Sequence, residues 1–346
     1  MKFRLNNMQT KIVPINETSL KKAKEILLSG GVVAIPTETV YGLGGNALDD
    51  NAVKSIFEVK GRPSDNPLIA HVHTDYDLLK IIDFDPPYGK LLRDAFLPGP
   101  LTLVYPSTGK VSPFVSCGLN TLAVRVPSHE GAQAFLKAVD IPVVAPSANL
   151  SKHVSPTSAA HVYDDFAGKI PLILDGGEAA GGIESTVLDI SGEIPVLLRP
   201  GLITKERIEE ALGFKIVTMS EPKQGEKVKS PGVLYKHYSP RCKTKLFSSA
   251  RAQDALNACL AEKEKGESVA ALVEEDLRAE FEKAGVKVFS LGKTPKEMAA
   301  RLYAMLREAE KACGLLVSVE PKEQGGVMTG VMNRLKKACT SVDIAH

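Results

Sequence analysis

From Thr244 onward the chain alternates short apolar runs with helical stretches, and this alternation leaves few folds open. The runs at 244–247, 268–273, 286–290 and 315–319 are strand-sized, while 250–260, 275–284, 295–313 and a stretch near 331–339 carry helical spacing. Strands alternating with helices imply a small parallel sheet, Rossmann-like in outline, because each return crosses over through a helix. Thr294-Pro295-Lys296-Glu297 forms a capping box ahead of apolar positions Met298, Leu302, Met305, Leu306, Ala309 and Cys313. Gly325-Gly326 and Gly330 do not make the dinucleotide fingerprint. Residues 218–229 are polar and contain Pro222 and Gly225, marking a boundary. A chain of 346 residues is long for one core, so we expect a large first domain over 1–215, a linker over 216–241 and a small domain over 242–346. The linker's exit, SPGVLYKHYSP, places two aromatics, a lysine and a histidine within four positions. It reads either as a lid over the first domain's site or as a spacer that happens to be aromatic.

The first domain is organised around Ile35 to His71. Val32 to Ile35 reads as a buried strand ended by Pro36, which leaves Thr37, Glu38 and Thr39 at its C-terminal mouth, where α/β proteins bind ligands. Gly42, Gly44 and Gly45 allow backbone to approach a ligand closely or to take positive φ. Asp49-Asp50-Asn51 can cap a helix running to Val59, with Gly61 as its stop. Lys60 and Arg62 then present a point charge and a planar fork within one turn. Alone, they would suit the helix C-terminal dipole. Beside Ser64, Asp65 and Asn66 they suit a polyphosphate better.

Leu68 to His73 reads as a strand with His71 and His73 on one face. An HxH pair without a third ligand of matching softness does not make a metal site, so His71 is read as a polar contact to substrate. Arg125 lies in the apolar strand 119–126 and needs a partner, either a substrate carboxylate or a protein one. Ser147 and Asn149 follow the strand 142–145, where they either cap the turn or offer a hydroxyl and an amide to a ligand. The glycine-rich run from Asp175 to Gly182 lacks a Walker A ending and leads to Ser185, and Arg199 is a third cation at a strand end.

Composition narrows the function classes. Forty-three basic and 41 acidic residues leave a formal charge of +2, so no overall field calls for nucleic acid or an anionic membrane. No apolar run approaches bilayer length, and Met1 to Lys11 is not followed by a secretory h-region. Five scattered cysteines without a CxxC pair argue against disulfide frameworks and zinc clusters and fit a cytoplasmic setting.

Eight ordered motifs, PTETVYGLGGNA, the Lys60-x-Arg62 pair, NPLIAHV, PGPLTLV, LAVRVPSH, APSANLS, ESTVLDI and LLRPG, resemble those of the threonylcarbamoyl-AMP synthases, the long two-domain members of the YrdC-like group. The resemblance covers essentially the whole chain. It implies a YrdC-like twisted open α/β domain followed by a smaller Rossmann-like parallel-sheet α/β domain. It further implies condensation of L-threonine, bicarbonate and ATP to threonylcarbamoyl-AMP with release of pyrophosphate, Mg²⁺ entering with ATP. The product would feed the tRNA threonylcarbamoyl transferase machinery, with any contact to tRNA itself weak.

By similarity, Lys60 and Arg62 are the catalytic cations and form the nucleotide set with Ser147 and Asn149. Asn66, Thr121, Thr157, Arg199 and, from the linker, Tyr235 complete the ATP contacts. Thr39, His71, Arg125 and Ser185 would hold threonine or its carbamate, with Arg125 on the carboxylate. The chemistry fits the residues: an N-carboxylated threonine attacking phosphorus needs charge stabilisation and alignment, and the sequence carries no nucleophile signature. Two rivals remain. A structured-RNA-binding module would need a basic field or an aromatic RNP motif. A carbamoyl transferase with another acceptor would be expected to carry zinc-finger cysteines and to lack this second domain.

Overall fold

The computed structural model describes residues 8–64, 66–219 and 238–342, which divide into two compact units. The first takes the described residues up to 151, with 156–180 and 184–219; the second takes 152–155, 181–183 and 238–342.

In the first unit the order is β1 (Lys11–Pro14), α1 (Glu17–Leu28), β2 (Val33–Ile35), β3 (Gly42–Asn46), α2 (Asp50–Lys60), β4 (Ile69–His71), α3 (Gly89–Phe96), β5 (Leu101–Pro106) and α4 (Pro113–Ser116). It continues through β6 (Thr121–Arg125), α5 (Glu130–Val139), β7 (Val143–Val144), α6 (Ala159–Phe166), β8 (Leu172–Asp175), β9 (Thr186–Asp189), β10 (Val196–Arg199), α7 (Lys205–Leu212) and β11 (Val217–Thr218). The described strands form one mixed sheet in the order β1-β8-β2-β3-β7-β4-β6-β5-β9-β10-β11. Strand β11 pairs with β10, so this sheet extends two residues into the stretch expected to be linker.

Local sequence explains several ends. Asp49 caps α2 by accepting from the Asn51 amide, and Gly61 closes it at φ 59°, a conformation costly for a residue with Cβ. The glycines after Tyr41 have a different use from the one expected. They form β3, and a Cβ on Gly42 would stand 2.9 Å from that of Ala145, so the strand needs a bare backbone to sit beside its neighbours.

The two faces of the central sheet differ. Ala70, Val124, Leu103 and Leu188 belong to the large core that also takes up Val53, Ile56 and Phe57 of α2 and Leu92 of α3. The alternate residues Ile69, Ala123, Val104 and Val187 form only a small apolar cluster. Alternation along the strands puts His71, Thr121, Arg125 and Thr102 on this second face. A polar row on a sheet face thus begins where the small cluster stops.

The second unit runs β12 (Lys243–Phe247), α8 (Ala252–Glu264), β13 (Val269–Val273), α9 (Glu275–Lys283), β14 (Lys287–Ser290), α10 (Pro295–Ala312), β15 (Leu315–Val319) and α11 (Val327–Ala338). Its four strands are all parallel, in the order β12-β15-β13-β14. The expected capping box is present: Thr294 accepts from the Glu297 amide and Glu297 reaches back to the Thr294 amide. Helix α11 starts four residues earlier than its apolar spacing suggested, at Val327. Within this unit His153 meets Glu310 at 2.9 Å, and the Arg307 Nη2 donates to the Val154 carbonyl at 2.5 Å.

Candidate active site

Register places the expected substrate residues in one line across the sheet. His71 on β4 pairs with Arg125 on β6, Arg125 with Thr102 on β5, Thr102 with Val187 on β9, and Val187 with Arg199 on β10. Ser185, just ahead of β9, shares a hydrogen bond of 2.8 Å with the Thr102 hydroxyl. Arg199 donates from Nε to the Ser185 carbonyl at 3.0 Å and from Nη2 to its hydroxyl at 3.2 Å. Arg199, expected around the nucleotide, thus has its side chain hydrogen-bonded to Ser185 of the expected threonine set.

Arg125 is 4% exposed, and its partner is a protein carboxylate. Its Nη2 lies 2.7 Å from Glu38 Oε1, and its Nη1 donates to the Thr39 hydroxyl at 2.7 Å. Thr39 shares a further bond of 2.9 Å with Thr37. The loop carrying Glu38 and Thr39 does not stay at the mouth of β2. Ile35, its last strand residue, is level with Gly42, whereas Arg125 is level with Asn46 through β4 and β7, so the loop folds back over the sheet face. Thr37 and Glu38 were legible only as polar residues after a strand. Their link to Arg125 bridges more than eighty positions and leaves no local signal.

The electrostatics of this group follow from burial. The His71 ring is pushed down to about 3, first by desolvation and then by the Arg125 charge. It is therefore neutral, and because Nδ1 lies 3.1 Å from the Ile69 carbonyl it must donate there, leaving Nε2 as an acceptor. Burial pushes the Glu38 carboxyl up, but the Arg125 charge and the nearby amides of Glu38 and Ser128 outweigh it and hold the group below its ordinary value. An unfolded His71 takes a proton below about 6.5, whereas the folded one resists to about 3. Stability from this residue is thus present above about pH 6.5 and is lost as pH falls toward 3. NMR titration should find the His71 ring signals unmoved between about pH 5 and pH 8. A midpoint near 6.5 would contradict the assigned environment.

The expected nucleotide residues gather at the other end of β4 and β6. Lys60, 3% exposed, closes α2 and donates from Nζ to the carbonyls of Ser147 at 2.5 Å and Asn149 at 2.6 Å. The Ser151 amide returns a bond to the Lys60 carbonyl, and Ser147 bridges Gly42. Arg62 donates from Nη2 to the Asn66 carbonyl at 3.0 Å. Asn66 is buried, and among the described residues neither atom of its side-chain amide finds a hydrogen-bond partner. Such a group is costly unless something else satisfies it. Thr121 opens β6 on the same face as Arg125, about 13 Å along the strand at roughly 3.3 Å per residue. Thr157 shares a bond of 3.3 Å with His161, and its neighbour Pro156 accepts from the Tyr41 amide, whose carbonyl in turn accepts from Ala148. Tyr235 and the stretch read as a lid lie outside the described residues.

His73 meets Asp140 at 3.0 Å, and among the described residues no three His, Cys, Asp or Glu converge in a way that could hold a metal ion. Among the described residues, no helix is long and apolar enough to cross a membrane.

Comparison with known proteins gives this two-ended site its context. A family model described as "Telomere recombination" matches residues 25–201, and one described as "Threonylcarbamoyl-AMP synthase, C-terminal domain" matches 203–340. The threonylcarbamoyl-AMP synthase of Pyrococcus abyssi is 42% identical over 328 residues, covering 94% of this chain and 95% of that protein. That of Bacillus subtilis is 41% identical over 326 residues, covering 93% of each. The crystal structure of P. abyssi Sua5 complexed with L-threonine superposes with a TM-score of 0.87 at 38% identity, over 97% of this chain and 100% of that one. This chain belongs to the threonylcarbamoyl-AMP synthase family.

Proposed function

We propose that the protein condenses L-threonine, bicarbonate and ATP to threonylcarbamoyl-AMP and pyrophosphate, with threonine at the Arg125 end of the sheet face and ATP at the Lys60 end. The observation that carries this reading is the division of polar side chains between the two ends of β4 and β6. Membership of the synthase family and the threonine complex of the P. abyssi relative support it. Arg125 would take the threonine carboxylate, and Nε2 of the neutral His71 would accept from a substrate donor. Lys60 and Arg62 would draw charge from the phosphates as pyrophosphate leaves, and the Asn66 amide would find its partner in the nucleotide. The reacting nitrogen and phosphorus belong to the substrates, so the chain's task is to align two anions and screen their charge.

Mg²⁺ would enter bound to ATP. Held mainly by phosphate oxygens, it would need few ligands from the chain. The product would pass to a transferase that modifies tRNA, and the +2 formal charge favours no more than a local tRNA contact. Mass spectrometry of products after incubation with ATP, bicarbonate and threonine or serine tests the assignment. A threonine-dependent adduct that disappears on chelation of Mg²⁺ is expected. Pyrophosphate release indifferent to the amino acid would contradict it.

A further inference from the structure

We propose that Glu38 accepts the α-ammonium group of the amino-acid substrate and selects an α-amino acid over the corresponding α-hydroxy acid. The inference rests on the reading that Arg125 takes the substrate carboxylate.

The site holds an ion pair that is close but poorly matched. Arg125 Nη2 and Glu38 Oε1 are 2.7 Å apart without the alignment of a hydrogen bond, and the nearby amides of Glu38 and Ser128 are not aligned on either carboxylate oxygen. The Glu38 side chain is 16% exposed, so water satisfies little of it. A carboxylate so placed has unspent acceptor capacity in the part of the molecule where an amino acid's two charges would arrive. Thr39 and Gly99 hold the rest of the guanidinium, through Nη1 and Nε. Nη2 is left as the atom a new carboxylate would claim.

Charge balance then decides which guest fits. In a zwitterion one carbon separates carboxylate from ammonium, so a carboxylate on Arg125 brings the ammonium within reach of Glu38. One internal pair is replaced by two pairs to the ligand, and no buried charge is left over. An α-hydroxy acid brings only its negative charge. Two carboxylates would then share one guanidinium, and Glu38 would be stranded in a largely dry setting. His71 is neutral there and offers no second cation. Once the nitrogen has been carboxylated it keeps one N–H, which can still donate to Glu38.

Calorimetric titration of the full chain with L-threonine, its deaminated counterpart 2,3-dihydroxybutanoate, and L-threoninamide tests the assignment. Glu38→Gln should weaken threonine about 30-fold or more while the deaminated acid binds no worse, so that discrimination collapses. Glu38→Asp should recover part of the loss, and unchanged ATP affinity would show that the fold persists. Equal weakening of threonine and the deaminated acid would overturn the proposal, since Glu38 would then merely brace Arg125. So would undiminished threonine binding by Glu38→Gln. Wild-type protein that bound threoninamide as tightly as threonine would overturn the Arg125 reading instead, and the discrimination lost by Glu38→Gln would still report on Glu38.

Discussion

Replacing Arg62 by alanine is expected to lower threonine- and bicarbonate-dependent pyrophosphate release about a thousandfold while the protein still folds. The two halves of this expectation have separate causes. Arg62 stands after the Gly61 stop of α2, is only half-buried, and spends Nη2 on the Asn66 carbonyl, so its removal opens no cavity in the large core. Its charge, however, stands beside the buried Asn66 residue at the end of the sheet face where we propose the triphosphate to sit. A planar fork there can grip two phosphate oxygens together, which a lysine cannot copy. Pyrophosphate release and a thermal melt on the same preparation check both halves. Activity near that of the parent would remove Arg62 from the site.

Lys60→Met should behave differently, because Lys60 is both a charge and a tie. Its ammonium joins the end of α2 to the carbonyls of Ser147 and Asn149. Methionine matches the stem but leaves those acceptors without their donor, at about 1–3 kcal/mol for a buried group. Relief from burying a cation offsets part of that. We expect destabilisation of about 2 kcal/mol in denaturant unfolding together with a loss of at least about a hundredfold in kcat/KM for ATP. The joint effect separates Lys60 from Arg62, where activity alone should fall. A Lys60→Met protein of parental stability would mean that the tie contributes nothing.

What the sequence made legible was mostly local. Asp49 and Gly61 bracket α2 as their chemistry predicts, and the Thr294 box opens α10. The regular alternation after Thr244 yields the parallel sheet because such sheets have few alternatives. Strand β3 was hidden, since Gly-Leu-Gly-Gly-Asn has little strand propensity and owes its state to neighbours that tolerate no Cβ. The short pairing of β11 with β10 was hidden by the polar residues around it.

The site was legible as a set of residue types, and the family motifs supplied their roles. Its arrangement was not. The strand-mouth rule belongs to parallel sheets, whereas β2–β3, β3–β7 and β4–β7 are antiparallel, and the loop after β2 crosses the face instead of ending at a crevice. Arg125's need for a partner was plain from an arginine in an apolar strand. That Glu38 answers it is a tertiary fact.

A crystal structure of the protein with L-threonine and a non-hydrolysable ATP analogue bound together would locate both substrates directly. The threonine carboxylate is expected on Arg125 with its ammonium toward Glu38, and the triphosphate between Lys60 and Arg62. Threonine bound away from the row of His71, Arg125 and Ser185, or phosphates remote from both cations, would contradict this placement.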